Sequence, residues 1–370
     1  MYSDADRAHM TRALVLATNG LFTTTPNPRV RCVIVKDGDV VGEGWHRQTG
    51  EPHAEILALA QAGGRARGAT VYVTLEPCSH HGRTPPCTDI LIEARVGRVI
   101  AAMEDPNPVV NGQGLERLRA AGIDVRCGLM AQEAIELNRG FVSRMARGRP
   151  WTRLKIAASL DGVSALSDGR SKWITSEAAR ADGHRWRARA CAVLTGIGTV
   201  KADNPALTVR MVPTPRQPVK VLIDSRLEAN PAAEIFHEAR VLVLHAVPEE
   251  SLDPGRAARL EDVGCTLVSL PGPRGKVDLV AAMQELGRRE FNEVHVEAGH
   301  KLNGSLIAAG CIDEVLVYLA PSLLGQGQPM FDLPEISDLE RRVRLEWIDM
   351  DRVGEDLRLR ARLPGAASAG

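Results

Sequence analysis

Four residues in the first half of the chain have types and spacing suited to metal chemistry. His53 and Glu55 are separated by a single alanine, and Cys78 and Cys87 follow farther along the chain. One imidazole nitrogen and two thiolate sulfurs suit tetrahedral Zn²⁺, with a fourth position open for water as in catalytic sites. Glu55 would lie on the same helical turn as His53, close enough to exchange protons with the bound water without binding the metal.

Both ligand segments are expected to begin helices. Pro52 precedes His53, and Pro85 and Pro86 precede Cys87; proline is favoured in a first helical turn. Two helix N-termini would then direct partial positive charge at a bound hydroxide. This arrangement is typical of zinc-dependent deaminases, in which zinc hydroxide attacks an amine-bearing ring carbon while the glutamate moves protons.

A closed, purely structural zinc site is the competing interpretation. Such a site needs a fourth protein ligand, and His80 or His81 could supply it. The spacing from Cys78 to Cys87 is also longer than the Cys-x-x-Cys usual in these deaminases.

Two glycine turns in the second half suggest nucleotide binding. Gly196-Ile197-Gly198 follows a strand-like run, but the third glycine of a dinucleotide fingerprint is missing, so a Rossmann site is rejected. A second turn, Gly299–Leu302, leads from a strand into a helix, and its amides could hold a diphosphate. Spacing alone leaves nucleotide binding open.

Alternating strand-like and helical stretches predict an α/β fold. In the first half, Lys36–Asp39 predicts a hairpin turn, and helices are expected over His53–Ala62 and Thr88–Ala94. In the second half, helices are expected over three segments: Ser176–Ala188, Leu279–Arg288 and Leu302–Ala309. Strands are expected over seven: Arg153–Ala158, Ala192–Thr195, Val219–Asp224, Arg240–His245, Thr266–Leu270, Glu293–Glu297 and Glu314–Leu319.

Length and composition limit the possible classes of protein. A chain of 370 residues suggests two domains, and the polar Arg144–Pro150 segment predicts domains of 1–147 and 150–366. No apolar run approaches the length of a membrane span, and no secretory signal is expected at the N-terminus.

The seven cysteines, an odd number, favour reduced thiols in the cytoplasm. Residues 1–149 hold 18 basic and 16 acidic side chains and the rest 28 and 30, so no nucleic-acid partner is expected.

Several motifs of the first half resemble one deaminase family closely. These are the loop Pro77–Cys87, the segment Gly50–Glu55, Pro26-Asn27-Pro28 and Asp105–Pro108. They are similar to the pyrimidine deaminase of riboflavin biosynthesis, which implies a cytidine-deaminase-like three-layer α/β/α domain. Arg31 departs from the family pattern, which has glycine there, and would either point outward or narrow the pocket.

The resemblance assigns roles by position. It makes His53, Cys78 and Cys87 the ligands of one Zn²⁺ and Glu55 the catalytic proton shuttle. The implied substrate contacts are Asn27, His46, His80 and Arg83. Core packing is an equally good interpretation of His46, and a solvated loop arginine is the alternative for Arg83.

From about Trp151 to Leu324 the chain resembles the reductase half of the same riboflavin enzyme, which has a dihydrofolate-reductase-like α/β fold and uses NADPH. The implied cofactor contacts are Ala157, Trp173, Thr199, Asp203, Ser225, Gly299, His300, Lys301, Leu302, Asn303, Gly304 and Ser305. The implied substrate contacts are Lys155, Ser171, Arg187, Leu207, Arg210 and Glu297. Arg226 is a candidate for the phosphate that separates NADPH from NADH, and salt-bridged sheet ends are the alternative for Lys155, Arg187 and Glu297.

The resemblance therefore implies a bifunctional cytoplasmic enzyme, a hydrolase and oxidoreductase that assembles as a homo-oligomer. Its small-molecule substrate would be 2,5-diamino-6-(ribosylamino)-4(3H)-pyrimidinone 5'-phosphate, deaminated first and then reduced from ribosyl to ribityl by NADPH. Two rivals remain open: a nucleotide or tRNA-editing deaminase with an unrelated second domain, and a zinc-stabilised binding protein that senses NADPH.

Overall fold

The computed structural model describes residues 1–80, 85–237 and 240–365. The chain forms two compact units, Met1–Arg147 and a second that begins at Gly148. Within the described residues, no helix has both the length and the apolar character needed to cross a bilayer.

The first unit is built on a mixed sheet in the order β2-β1-β3-β4-β5. Strands β1 and β2 form the hairpin expected at Lys36–Asp39, β1 also pairs antiparallel with β3, and β3, β4 and β5 are parallel. The strands are β1 (Arg31–Lys36), β2 (Asp39–Trp45), β3 (Thr70–Val73), β4 (Arg98–Ala101) and β5 (Asp124–Cys127).

Helices cover both faces of this sheet. They are α1 (Asp4–Ala17), α2 (Ala54–Ala62), α3 (Cys87–Glu93), α4 (Gln113–Ala120), α5 (Ala131–Leu137) and α6 (Arg139–Arg147). Helices α2, α3 and α4 bury apolar side chains on one face, and α1, α5 and α6 do so on the other. The expected three-layer α/β/α architecture is therefore confirmed.

The second unit contains a nine-stranded sheet in the order β11-β10-β9-β8-β12-β6-β13-β16-β15. The seven strands from β11 to β13 in that order are parallel, and the β15–β16 hairpin extends the sheet antiparallel to β13. The strands are β6 (Trp151–Ser159), β8 (Ala192–Gly196), β9 (Val219–Ile223), β10 (Val241–His245), β11 (Cys265–Ser269), β12 (Glu293–Val296), β13 (Glu314–Ala320), β15 (Glu346–Val353) and β16 (Asp356–Arg362), with β7 (Val163–Leu166) and β14 (Gly327–Pro329) paired separately.

Helices also cover both faces of the second sheet. They are α7 (Glu177–Arg189), α8 (Ile197–Asp203), α9 (Pro254–Glu261), α10 (Leu279–Arg288) and α11 (His300–Ala308). The side chains of α10 and α11 contribute to the largest apolar core, and α7, α8 and α9 pack on the opposite face.

Most expected elements form within one or two residues of their predicted bounds, and α10 has the bounds predicted from sequence. The polar segment that begins at Arg144 suggests a linker, but the structure extends α6 to Arg147. Phe141 and Val142 form the buried face of this helix. The arginines around them interrupt the apolar pattern, so the sequence does not indicate this helix. The β15–β16 hairpin is not predicted from the sequence either, because a bulge between Trp347 and Asp349 breaks the alternation of apolar and polar residues.

Candidate active sites

Helix α2 brings His53 and Glu55 to one end of the first sheet. His53 is the N-cap of the helix, with extended backbone angles, and the Ala-rich stretch Ala54–Ala62 continues from it. The helix lies directly on β2 because that strand has glycine at the two contact positions. A Cβ on Gly44 would lie 2.1 Å from the Ala54 carbonyl oxygen, and one on Gly42 would lie 2.2 Å from that of Ala58.

Cys78 and Cys87 complete a compact group with His53. The His53 Nδ1 atom is 3.3 Å from the Cys87 Sγ atom and 3.6 Å from the Cys78 Sγ atom. Zn–N and Zn–S bonds of roughly 2.0 and 2.3 Å in tetrahedral geometry place nitrogen and sulfur ligands about 3.6 Å apart. The three side chains therefore fit one zinc ion, as expected from the sequence.

Local structure also prepares the Cys78 thiol for metal binding. Cys87 is the first residue of α3, and its amide donates to the Cys78 sulfur at 3.3 Å. The hydrogen bond from the Cys87 side chain, assisted by His53, lowers the pKa of the Cys78 thiol to about 4. A thiolate is the form that binds a metal.

His80 does not belong to this ligand group. Among the described residues the possible metal-binding side chains at this site are His53, Cys78 and Cys87, and His80 is exposed. The closed structural site therefore gains no support from His80, while His81 lies outside the described residues. Arg83, the expected phosphate contact, also lies outside them.

Glu55 is suited to proton transfer. Its side chain is buried on the first turn of α2, and burial raises the pKa of its carboxyl group. The charges of Cys78 and His53 also act on this carboxyl group. The carboxylate is thus held beside the ligand cluster without being one of its members.

Asn27 and His46 stand next to the metal ligands. The Asn27 Nδ2 atom is 3.0 Å from the His46 Nε2 atom, and the His46 ring packs edge-on against that of His53 at 5.6 Å between centroids. Burial lowers the pKa of His46. The neutral ring can therefore accept the Asn27 amide hydrogen and fix the direction of the Asn27 side chain.

Two carboxylates to which the sequence analysis gave no role organise the loops around the cluster. Glu76 is buried and accepts hydrogen bonds from the backbone amides of Asp105, Gly112, Gly114 and Leu115 at 2.8–3.3 Å. The Asp105 carboxylate accepts the backbone amide of Asn107 at 2.9 Å, and burial raises the pKa of Asp105 to about 6. In the sequence, the role of Glu76 is indicated only by its position directly before Pro77 and Cys78.

Arg31 points away from the metal ligands. It donates to the Leu16 carbonyl oxygen at the end of α1 and pairs with Glu43 at 3.5 Å. Its neighbour Cys32 belongs instead to the core beneath α2. Because side chains alternate along a strand, Arg31 faces the α1 layer, and it does not narrow the site.

In the second unit, a cavity of about 1210 Å³ collects the residues predicted there. It exceeds the ~300–1,000 Å³ typical of a site for one small molecule, so it has room for a cofactor and a substrate together. The predicted residues that line it are Lys155, Ala157, Ser171, Trp173, Arg187, Thr199, Asp203, Leu207, Arg210, Ser225, Glu297, Gly299, His300, Lys301, Leu302, Asn303 and Ser305.

Gly304, the remaining predicted cofactor contact, does not line the cavity. A Cβ at this position would lie 1.9 Å from the Asp332 carbonyl oxygen, so the glycine lets α11 pack against that loop. At the start of α11, by contrast, the N-cap Gly299 makes no side-chain capping bond. The first amides of the helix therefore remain available to a diphosphate, which fits a dinucleotide cofactor.

Three charged groups in the cavity wall interact with one another. Arg187 binds Glu297 through two hydrogen bonds of 2.8 and 3.0 Å. Burial opposes ionisation of Glu297, but Arg187 and Lys155 outweigh it and hold the pKa of this carboxyl well below its usual range. Burial lowers the pKa of Lys155. Two of the five N–H donors of Arg187 remain after its bonds to Glu297 and to the Thr208 carbonyl, so it can still bind a phosphate.

Comparison with protein families assigns each unit separately. Residues 3–103 match the sequence model of the cytidine and deoxycytidylate deaminase zinc-binding region. Residues 150–359 match that of the RibD C-terminal domain.

Relatives cover almost the whole chain. The riboflavin biosynthesis protein RibD of Escherichia coli (strain K12) is 47% identical over 365 residues, which are 95% of this chain and 98% of that protein. RibD of Haemophilus influenzae is 44% identical over 97% of both chains.

Solved structures agree with these matches. The chain is similar to a structure of Acinetobacter baumannii RibD, with TM-score 0.88, 40% identity and coverage of 97% of this chain and 99% of that one. It is also similar to a deaminase/reductase from Thermotoga maritima, with TM-score 0.85, 34% identity and the same coverage.

Proposed function

The chain belongs to the RibD family of riboflavin biosynthesis proteins, and from this we infer that it is a bifunctional deaminase and reductase. The first unit replaces an amine of a phosphoribosylated diaminopyrimidine with oxygen, and the second reduces the ribosyl group to a ribityl chain. The observation that carries the first activity is the fit of His53, Cys78 and Cys87 to one zinc ion beside the buried Glu55.

In the deaminase unit, zinc supplies Lewis-acid activation of a water molecule when it is bound. Glu55 would take both protons of the attacking water in turn, delivering the first to the ring nitrogen and the second to the amine, which departs as ammonia. Asn27 and His46 bind the pyrimidine, with the Asn27 amide fixed by the His46 ring. Arg83 is proposed to bind the substrate phosphate because a guanidinium matches phosphate geometry, and His80 is proposed as a neighbouring contact.

In the reductase unit, NADPH supplies the hydride when it is bound. The amides that begin α11 hold its diphosphate, and the remaining cofactor contacts are those along the cavity wall. Lys155, Arg187 and Arg210 bind the phosphorylated sugar, and Glu297 orients Arg187. No covalent protein nucleophile is needed in either step.

We propose that the 2'-phosphate of NADPH binds beside Ser225. The Ser225 hydroxyl accepts the Val277 amide at 3.2 Å, which ties the end of β9 to the turn that carries Arg274 and Lys276. Arg226 also lines the cavity but pairs with Glu228 at 2.6 Å. Among the described residues, no ion pair involves Arg274 or Lys276, so these two cations supply the uncompensated charge.

We also propose that the protein is a cytoplasmic homo-oligomer. None of the seven cysteines, all of which lie within the described residues, forms a disulfide, which suits a reducing compartment. The outer hairpin β15–β16 exposes Trp347, Met350 and Leu357 at the edge of the sheet, a surface that a second copy of the chain would cover. Light scattering should report more than one chain per particle, and Trp347→Glu should reduce that number.

Mass analysis of the products tests the two activities. With the diaminopyrimidine ribosyl phosphate alone, the expected product has exchanged an amine for oxygen, and adding NADPH should add two hydrogens. Glu55→Gln should abolish the exchange while zinc content and reduction of the deaminated substrate persist. An unchanged exchange rate in this variant would remove Glu55 from the mechanism, and a wild-type enzyme that performs neither change would refute the assignment.

A further inference from the structure

The segment Leu207–Arg210 presents two of the proposed reductase substrate contacts without belonging to a helix or strand. Leu207 adopts a left-handed backbone conformation with φ of 53°, and Arg210 reaches the cavity from the end of the segment. A left-handed leucine is unfavourable unless its surroundings hold it. The neighbouring side chains must therefore fix this backbone.

Each of the three residues after Leu207 is held by a different side chain. Arg187 donates to the Thr208 carbonyl oxygen at 2.5 Å. Gln217 holds Val209 on both sides: its Oε1 atom accepts the Val209 amide at 2.7 Å, and its Nε2 atom donates to the Val209 carbonyl at 3.1 Å.

His184 holds the third residue, Arg210. Its Nδ1 atom accepts the backbone amide of Arg210 at 3.1 Å. Burial and the positive charge of Arg187 lower the pKa of His184 to about 4, so the ring is neutral, with its proton on Nε2. His184 is 7% exposed and does not line the cavity, so it has no direct path to the substrate.

The side chains of His184 and Gln217 are both anchored to α7. His184 lies three residues before Arg187, on the same side of the helix. Gln217 follows Arg216, whose guanidinium donates to the Ala190 carbonyl oxygen at the C-terminal end of α7, at 2.9 Å. One helix therefore sets the position of Arg187 and of the segment that faces it.

We propose that His184 and Gln217 are positioning residues that preform Leu207–Arg210 for binding of the phosphorylated substrate in the reductase site. This inference rests on the proposed roles of Leu207 and Arg210 in substrate binding. Neither positioning residue touches the reacting atoms. Their loss should therefore weaken substrate binding and leave binding of NADPH unchanged.

Paired variants of His184 distinguish the effect of its hydrogen bond to the Arg210 amide from the effect of its side-chain volume. Asparagine places an amide oxygen where Nδ1 lies, whereas glutamine places its oxygen near Nε2. We expect His184→Gln and His184→Leu to raise KM for the ribosyl substrate about tenfold, the scale of one buried hydrogen bond. His184→Asn should stay within about threefold of the wild type, and KM for NADPH should not change in any of them. His237→Asn, at an exposed histidine, is the matched control.

Gln217 gives a second test if the His184 variants fold poorly. Gln217→Leu removes both bonds to Val209, and Gln217→Glu keeps only the acceptor, so KM should rise more in the first. Hydrogen exchange followed by mass spectrometry provides a readout without substrate or cofactor. Exchange at residues 208–210 should quicken in His184→Leu and Gln217→Leu, with α7 unchanged.

The outcomes distinguish a positioning role from a merely structural one. Faster exchange of the segment with an unchanged substrate KM would overturn the inference while leaving the reductase assignment intact. A parallel loss of NADPH binding, or equal effects of His184→Asn and His184→Gln, would show a general effect on the fold and also overturn it. A wild-type chain that does not reduce the substrate would overturn both this inference and the proposed reductase function.

Discussion

Replacing Gly44 with alanine should disable the deaminase while leaving the reductase intact. Gly44 lies on β2 under the first turn of α2, the helix that begins at the proposed zinc ligand His53 and carries Glu55. The added Cβ would lie 2.1 Å from the Ala54 carbonyl oxygen and 2.7 Å from the Ala58 amide nitrogen. All of the nearest atoms except the Leu57 Cβ belong to the backbone, so no flexible side chain can move aside.

The size of the effect follows from these distances. Carbon atoms pack at separations of about 3.5 Å or more, so the first turn of α2 must move by roughly 1 Å. A misplacement of that size costs about 100-fold in rate when it affects reacting groups. Overpacking of this kind also costs about 1–3 kcal/mol of stability, or roughly 2–4 °C in Tm for each kcal/mol in a unit of this size.

The assay compares Gly44→Ala with Gly64→Ala, because a Cβ on Gly64 would have no heavy atom within 4 Å and this residue has no positive φ. Zinc retention against a chelator, deamination rate and Tm are measured for both. We expect loss of zinc affinity and of deamination in Gly44→Ala alone, with wild-type reduction of the deaminated substrate by both. Wild-type zinc retention and deamination in Gly44→Ala would refute the view that close packing of α2 on β2 positions the site.

Three further predictions follow from buried charges and cavity cations. Glu76→Ala leaves four backbone amides without their acceptor, so thermal unfolding should show a loss of several kcal/mol, at roughly 1–3 kcal/mol for each unsatisfied group; Glu76→Gln keeps an acceptor oxygen and should lose less. The pKa of Glu297 is lower in the folded state than its value near 4.3 in the unfolded state. Ionised Glu297 therefore stabilises the folded protein above about pH 4.3, and this stabilisation is lost as the pH falls through the folded-state pKa. Urea unfolding should therefore show a weaker rise of stability from acid to neutral pH in Arg187→Ala, and an unchanged slope would contradict this. The double variant Arg274→Ala/Lys276→Ala should raise KM for NADPH but not for NADH, and should bind 2',5'-ADP more weakly while 5'-AMP binding stays unchanged; equal losses for both nucleotides would exclude a 2'-phosphate site.

Much of the fold could be predicted because its elements have strong local signals. The Asp37-Gly38 turn, the Pro52-His53 helix start and the apolar periodicity of α10 depend on residues close together in the chain. Elements whose apolar face is interrupted by charge could not be predicted. In α6 the buried Phe141 and Val142 are surrounded by arginines, and the bulge in β15 moves its apolar residues out of register.

The sequence by itself determined the chemistry that this chain can offer. The types and spacing of His53, Glu55, Cys78 and Cys87 indicated a zinc-dependent deaminase, since few residue types bind zinc and the loop carries a specific motif. The resemblance extended that identification to a second, reducing domain.

Only the tertiary structure decided which residues hold these groups in place. Glu76 binds amides 29 to 39 residues away, and His184 binds one 26 residues away. Such bonds form where strands and helices that are distant in sequence come together in the fold. The local sequence around each residue therefore cannot predict them. The direction of Arg31 was settled in the same way, by the packing of α1 and Glu43 on one face of the sheet.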